Sequence, residues 1–229
     1  MLENESEFNR KRKIGNNYCY VCKLIRKDMI EKFVEYINQS NFSINSTIEP
    51  SIFETNSYLA DKEPTLIEYA AFYGSIQIFK YLCLNNVQLT SSLWLYAIHG
   101  NNPEMIHFLE EHQTKPENDS YEECAIESLK CHHNNLANYI IENLTQSQEN
   151  EEDSFIYSAA FKFFNYEYFP DNLENKFAFF DLCKYNHVTF VDLLVKHTKI
   201  DINQRVISNE IFFINRISNH FNFYRVFVI

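Results

Sequence analysis

The chain has 229 residues, of which 45% are apolar, and a formal net charge of −11 from 31 acidic and 20 basic side chains. That apolar fraction predicts a folded globular protein rather than a disordered one. The negative charge would repel a phosphate backbone, so we expect no general nucleic-acid binding and a basic protein segment as the natural partner. The chain has 3 Gly and 5 Pro against 21 Phe and 15 Tyr, which argues against an all-β fold with many tight turns.

Residues 1–17 are predicted to be a polar, disordered tail. The basic run from Arg10 to Lys13 matches a nuclear-localisation signal or, more simply, a solvated charged segment. No apolar run follows a positively charged start, so we expect no secretory signal, and no stretch reaches the ~18 apolar residues needed to span a bilayer. The sequence therefore predicts a cytoplasmic protein with reduced cysteines and no membrane partner.

The segment 18–45 is predicted to contain two helices, with Asp28 capping the second. A long connection of Asn, Ser and Thr residues then spans 40–61 and includes Pro50. A connection of this length inside a compact domain is typical of a functional or finger-like loop.

A short phrase recurs along the chain: apolar, any, any, aromatic or apolar, aliphatic. Its copies occupy 33–37, 78–82, 105–109, 136–140 and 190–194. The three central copies start 27 and 31 residues apart, and repeat periods of about 20 to 50 residues indicate stacked structural units. A stacked unit cannot bury its apolar face alone, so its neighbours complete its core.

The clearest unit begins at 65–74, which reads Thr-Leu-Ile-Glu-Tyr-Ala-Ala-Phe-Tyr-Gly. Its small pair, Ala70 and Ala71, permits a close approach of two helices, and Gly74 suits the turn between them. This segment resembles an ankyrin repeat, with Leu66 where that family usually has proline.

Longer stretches extend the resemblance. The segments 51–56, 63–71 and 93–100 are similar to a large trichomonad family of ankyrin-repeat proteins of unknown function, and 200–203 resembles the loop that closes many ankyrin repeats. The resemblance covers roughly residues 18–204. It implies a protein-interaction module without catalytic residues.

The predicted fold is all-α: an ankyrin-like solenoid of helix-turn-helix repeats, with irregular repeats and a long inter-repeat loop. A single domain is expected over 18–229. Its units are predicted at 18–45, 62–90, 91–117, 120–144, 153–170 (degenerate, because Pro170 prevents a full second helix) and 175–203, followed by a C-terminal helix over 206–220.

Cys19 and Cys22 have CxxC spacing, and with Cys131 and His132 they could form a metal- or redox-linked site, which is the alternative function. A strong zinc signal needs two such pairs, however, and on a helix Cys19 and Cys22 share a face with Ile25, so we expect core cysteines. Phosphate-binding glycine loops and nucleophile elbows are missing from the sequence. We therefore expect no enzyme activity, no cofactor and no metal.

A partner surface is predicted on the first helices of the repeats, which ankyrin-like solenoids expose on their concave face together with the loop tips. The candidates are Tyr69, Tyr73, Tyr96, His99 and Tyr185. Tyrosine suits an interface because it supplies a large contact area with few rotatable bonds. The alternative is that these rings pack between repeats.

The apolar residues that follow position 206 support a further prediction about the C-terminal end. They are expected either to leave an uncapped edge used for self-association or to fold back and seal the last helix.

Overall fold

The computed structural model describes residues 5–145, 152–171, 173 and 176–197. These residues form twelve α-helices and no strand, which confirms the predicted all-α class, and no helix among them is long and apolar enough to cross a membrane. In chain order the helices are α1 (Glu5–Ile14), α2 (Tyr20–Arg26), α3 (Ile30–Ser40), α4 (Leu66–Phe72), α5 (Ile76–Leu84), α6 (Leu93–Gly100), α7 (Pro103–Glu111), α8 (Glu122–Lys130), α9 (Asn134–Asn143), α10 (Glu152–Phe163), α11 (Lys176–Lys184) and α12 (Val188–His197).

The chain divides into two compact units, Met1–Thr145 and Gln146–Ile229. The sequence predicted a single domain over 18–229. The division falls at the start of the stretch 146–153, which reads Gln-Ser-Gln-Glu-Asn-Glu-Glu-Asp and offers no apolar side chain to a shared core.

Unit 1 contains four helical hairpins: α2–α3, α4–α5, α6–α7 and α8–α9. The first helices pack in chain order, with α2 on α4, α4 on α6 and α6 on α8, and α3 packs on α5. The recurring phrase lies on the second helices, and its first and fifth residues are buried in all four hairpins. These pairs are Phe33 and Ile37, Ile78 and Leu82, Met105 and Leu109, and Leu136 and Ile140. The phrase is therefore the inward-facing stripe of each second helix.

The turn inside each hairpin has a common backbone conformation. The residue two positions before the second helix is left-handed in every hairpin of unit 1: Asp28 (φ 46°), Gly74 (φ 64°), Asn101 (φ 45°) and His132 (φ 56°). In three of them the next N–H bonds back to the first helix: Met29 to the Leu24 carbonyl, Ser75 to the Ala70 carbonyl and His133 to the Ser128 carbonyl. This is the Schellman arrangement, in which glycine is usual. One of the four positions is glycine, so the turn recurs more regularly than its sequence does.

Polar side chains connect each hairpin to the preceding one. Three of them donate hydrogen bonds to carbonyls at the C-terminal ends of first helices, where backbone acceptors lack a helical partner. The bonds are Ser75 Oγ to the Ile25 carbonyl (2.6 Å), Asn102 Nδ2 to the Gly74 carbonyl (2.9 Å) and His133 Nδ1 to the Ile98 carbonyl (2.9 Å).

Asp28 also connects two hairpins, but as a hydrogen-bond acceptor. The prediction that it caps α3 is wrong. Met29 occupies the N-cap position of α3, without a side-chain hydrogen bond. The Asp28 carboxylate instead accepts hydrogen bonds from the backbone N–H groups of Gln77 and Ile78, both at 3.0 Å. It therefore caps α5 of the next hairpin.

Two hairpins approach each other closely between α4 and α6. Ala70 and Ala71 are fully buried, as predicted, but the sequence placed them where the two helices of one repeat cross, whereas Ala71 meets the next hairpin here. On α6, a Cβ atom added to Gly100 would lie 2.3 Å from the Ala71 carbonyl oxygen and 3.0 Å from the Gly74 nitrogen. Small residues on both helices thus allow backbone to meet backbone.

Residues 5–14 form α1, where the sequence predicted a tail without structure. The Phe8 ring meets Phe53 edge to face at 5.4 Å, and the Gly15 carbonyl accepts hydrogen bonds from the Thr55 N–H and hydroxyl. Acidic residues in the first turn and basic residues in the last turn suit the helix dipole. Long-range contacts with the connection therefore hold this helix.

The connection between α3 and α4 packs against the rest of unit 1 instead of forming a projecting finger. Ile48 and Leu59 are buried, and Thr47 forms an isolated bridge with Thr65. The Asn17 side chain also donates a hydrogen bond to the Glu49 carbonyl at 2.8 Å. The connection is therefore part of the fold.

Unit 2 contains α10, a 3-10 turn at Tyr166–Tyr168, α11 and α12. Its core consists of Phe161, Ala178, Leu182, Val191 and Leu194. His187 Nε2 donates to the Phe161 carbonyl at 2.6 Å, which matches the connections in unit 1. Pro170 follows the 3-10 turn, in the unit predicted to be degenerate. The predicted helix over 206–220 and the apolar C-terminal edge lie outside the described residues.

Candidate functional site

The predicted interface residues differ in their exposure. Tyr69 and Tyr96 are buried, at 1% and 6% exposure, whereas Tyr73 and His99 are half-buried. Tyr185 belongs to unit 2, where it packs beside the core. Tyr69 and Tyr96 therefore match the alternative interpretation, in which the rings pack between repeats.

Tyr69 and Tyr73 belong to an internal hydrogen-bond network. Arg26 donates to the Tyr69 hydroxyl at 2.9 Å and to the Asn17 carbonyl at 2.8 Å. The Tyr73 hydroxyl donates to Asn16 Oδ1 at 3.3 Å. Burial raises the pKa of both tyrosines, so both hydroxyls are neutral at physiological pH. This network holds the segment that precedes α2 against α4.

Tyr58, from the connection, lies against the first helices of the second and third hairpins. Its ring centroid is 5.9 Å from Phe72, 5.2 Å from Tyr96 and 4.1 Å from His99. The Lys62 ammonium lies 3.3 Å above the Tyr58 ring centroid. We call these five residues the Tyr58 cluster. Tyr58 is not among the residues that the sequence predicts, and no periodicity distinguishes it from Phe42 and Phe53 in the same connection.

His99 also joins a polar group that spans two hairpins. Its Nε2 lies 2.9 Å from Glu127 Oε1, and its Nδ1 lies 3.5 Å from Cys131 Sγ. The carboxylate accepts a hydrogen bond from the Nε2–H group. Nδ1 therefore carries the lone pair of the ring, which is directed at the sulfur. We call His99, Glu127 and Cys131 the His99 triad.

The protonation states in the His99 triad follow from its surroundings. Burial alone would raise the pKa of Glu127, but hydrogen bonds from His99 and Lys130 lower it overall. Burial raises the pKa of Cys131 to about 11. At neutral pH the carboxylate is therefore charged and the thiol protonated. Within the described ranges, the triad is the one group of three or more side chains that could hold a metal ion.

Three carboxylates act electrostatically on Tyr58. Burial is the largest cause that raises the pKa of Tyr58, and Tyr96 and the negative charges of Glu127, Glu68 and Glu123 raise it further. Glu68 is held by the capping box at Thr65 and by a 2.6 Å hydrogen bond from Ser92. Glu123 is exposed. We call Tyr58 and these three carboxylates the acidic face.

The alternative site of Cys19, Cys22, Cys131 and His132 is not assembled. Cys131 lies beside His99, while His132 is exposed in its left-handed turn. Cys19 is exposed, Cys22 is buried, and the hydrogen bond between them lowers the pKa of Cys19 to about 6. The same bond, together with burial, raises the pKa of Cys22.

Half of the basic run is engaged in local contacts. Arg10 pairs with Glu7 at 2.7 Å and lies 5.0 Å from the Tyr18 ring centroid, and the Lys11 ammonium lies 4.6 Å from the same centroid. Its role in nuclear localisation stays a prediction.

No family model matches the chain, and a comparison with curated proteins likewise finds no match.

Proposed function

We propose that this protein is a non-catalytic, cytoplasmic protein-interaction scaffold. Its hairpins form an ankyrin-like solenoid resembling the divergent trichomonad ankyrin-repeat proteins. The partner is a protein with a basic segment, and the contact surface is the acidic face. Neither nucleic acid nor membrane takes part.

The recurring hairpin is the observation that supports this proposal most strongly. Each hairpin of unit 1 has the same left-handed turn and the same buried pair on its second helix. Polar side chains of one hairpin donate hydrogen bonds to backbone carbonyls of the neighbouring hairpin. A chain built from units that complete one another offers an extended surface rather than an enclosed pocket, which suits protein binding.

The chemistry of the acidic face indicates the kind of partner. Tyr58 is half-buried, Lys62 lies over its ring, and three carboxylates act on it electrostatically. A Lys or Arg of a partner could pair with an exposed carboxylate such as Glu123 beside it. Tyrosine is one of the residues enriched at interface hot spots.

A pair of charge reversals tests the proposal. Glu123 belongs to the acidic face, whereas Glu111 is an exposed residue at the end of α7. The variants Glu123→Lys and Glu111→Lys change the net charge equally. In quantitative affinity capture from the source lysate, a basic protein should be retained by the wild type and by Glu111→Lys but lost with Glu123→Lys. Equal retention by both variants would contradict the proposal.

The Cys19–Cys22 pair supports a second candidate function, thiol–disulfide exchange. The Cys19 thiolate would attack a substrate disulfide and release one thiolate, and Cys22 would then displace the second, leaving a Cys19–Cys22 disulfide and a reduced substrate. The exposed Cys19 with its lowered pKa and the buried Cys22 favour these roles.

Oxidised glutathione provides the test of this second function. The wild type should form an internal disulfide, seen by mass spectrometry as the loss of two hydrogens, whereas Cys22→Ser should stop at a glutathione adduct on Cys19. Glutathione adducts spread over several cysteines, without the internal disulfide, would exclude the exchange reaction.

A further inference from the structure

We infer that the His99 triad is a binding site for a thiophilic divalent cation of the zinc class. His99 Nδ1 and Cys131 Sγ supply two ligands, and Glu127 supports them. Water would fill the remaining positions, since all three residues are only partly buried. This inference does not depend on the proposed partner surface, since a metal ion needs no protein partner.

The spacing of the donor atoms fits such an ion. Zinc bonds of about 2.0 Å to nitrogen and about 2.3 Å to sulfur, at a tetrahedral angle, separate the two donors by about 3.5 Å. His99 Nδ1 and Cys131 Sγ are 3.5 Å apart. An ion can therefore enter between them without movement of the backbone.

Glu127 has two ways to contribute. Its carboxylate accepts a hydrogen bond from Nε2–H of His99. Carboxylates orient the histidine ligands of metal sites through the same hydrogen bond. One ligand atom from each of the three residues also lies within 4.8 Å of the other two, so rotation of the side chain can bring the carboxylate to the ion. In both cases the negative charge of Glu127 favours the cation.

The donor set selects the class of metal. Imidazole nitrogen and thiolate sulfur suit zinc and its neighbours, whereas calcium and magnesium require oxygen ligands. Binding replaces the S–H bond of Cys131 by a sulfur–metal bond and releases the proton to solvent, so one cation enters for each proton lost. No electrons move.

The surroundings of the His99 triad both hold it and limit its affinity. The Phe72 ring stacks on His99 at 5.0 Å and fixes the imidazole plane. Lys130 donates to both oxygens of Glu127, at 2.8 and 3.0 Å, and its positive charge opposes a second cation. Its side chain is 43% exposed and can move into water. Because His99 lies on α6 and Cys131 follows α8, a bound ion would join two hairpins.

Cobalt(II), which reports thiolate ligation by a charge-transfer absorption, is the probe for the test. Wild-type protein titrated with Co²⁺ should develop this absorption up to about one equivalent per chain, and Zn²⁺ should abolish it by displacement. Cys131→Ser and His99→Ala should remove the absorption. Glu127→Gln should weaken binding about 10- to 100-fold, whereas Lys130→Met should strengthen it.

Matched controls separate this site from other thiols. Cys83 is also half-buried, with its pKa likewise raised to about 11 by burial, so Cys83→Ser should bind as the wild type does. Cys19→Ala/Cys22→Ala should also retain binding. Circular dichroism checks that each variant is folded, and Lys130→Met provides a readout that keeps all three residues of the triad.

Either of two results would overturn the inference. One is wild-type protein without thiolate-to-cobalt absorption. The other is absorption that persists in Cys131→Ser but disappears in Cys19→Ala/Cys22→Ala, which would assign the metal to the other cysteine pair.

Discussion

At Gly100 the backbone of one hairpin lies close to the backbone of the preceding one. A Cβ atom there would lie 2.3 Å from the Ala71 carbonyl oxygen, which belongs to the backbone and cannot rotate away. We predict that Gly100→Ala lowers the free energy of unfolding by about 1–3 kcal/mol, because α6 must shift from α4. Urea denaturation monitored by circular dichroism measures this change.

The neighbouring Asn101 is the control for Gly100. It has a left-handed backbone, with φ 45°, so Asn101→Gly removes steric strain at almost the same place. Its urea midpoint should match or exceed that of the wild type. A Gly100→Ala protein as stable as the wild type would show that α4 and α6 are not in backbone contact.

Glu127 links stability to pH. Its pKa in the folded protein lies below the ordinary value of 4.5, so its contribution is fully present above about pH 4.5 and is lost as the pH falls through the folded value. Glu127→Gln should therefore cost about 1–2 kcal/mol at neutral pH, because a neutral amide replaces the charged carboxylate that accepts hydrogen bonds from His99 and Lys130. The difference between the two urea midpoints should shrink as the pH is lowered below about 4.5. A difference that does not change with pH would contradict this role.

The left-handed turn is the element that defines each hairpin. His132 adopts it with φ 56° while exposed to solvent, so its side chain adds little packing. The left-handed conformation costs a non-glycine residue about 1–2 kcal/mol of folding free energy. Glycine avoids that cost but loses more conformational freedom on folding, which offsets about 0.5–1 kcal/mol of the gain. We predict that His132→Gly raises the free energy of unfolding by up to about 1 kcal/mol, measured by urea denaturation.

A β-branched residue tests the same turn in the opposite direction. His132→Val should destabilise unit 1, because branched side chains rarely adopt positive φ. If glycine and valine at this position gave equal stability, the turn would not be under conformational control.

The second helices are the elements that sequence predicts best. Their phrase places apolar residues four positions apart, such as Ile78 and Leu82, and both members are buried because a helix brings them onto one face. The local sequence pattern does not predict a side chain that forms hydrogen bonds with another hairpin. Asp28 reads as a cap for the helix that follows it, yet it caps α5, about 50 residues away.

At the scale of the whole molecule, the parts that escape prediction are held by long-range contacts. The helix α1 has no buried residue, so no apolar stripe reveals it. Tyr58 lies in a stretch without periodicity, and its contacts with Tyr96 and His99 depend on how the connection returns over the first helices. Burial of Tyr69 and Tyr96 follows from the same tight packing.

Part of the His99 triad could have been predicted from the sequence. His99 lies two residues before the left-handed turn of its hairpin, and Glu127 lies five residues before the turn of the next, on the successive first helices α6 and α8. Aligning the hairpins therefore places them on neighbouring helices about one helical turn apart, without revealing their contact. Cys131 reaches the same imidazole from the following turn, which the period alone does not reveal.

Site-specific photo-crosslinking tests the central claim, that the acidic face is the binding surface, most directly. A benzophenone amino acid is placed at position 122, an exposed neighbour of Glu123 that leaves the three carboxylates of the face intact, and in a matched protein at position 111, at the end of α7. After irradiation in the source lysate, position 122 should form one dominant adduct with a basic protein, and position 111 should not. Adducts of equal yield at the two positions, or an adduct at 111 alone, would contradict the claim.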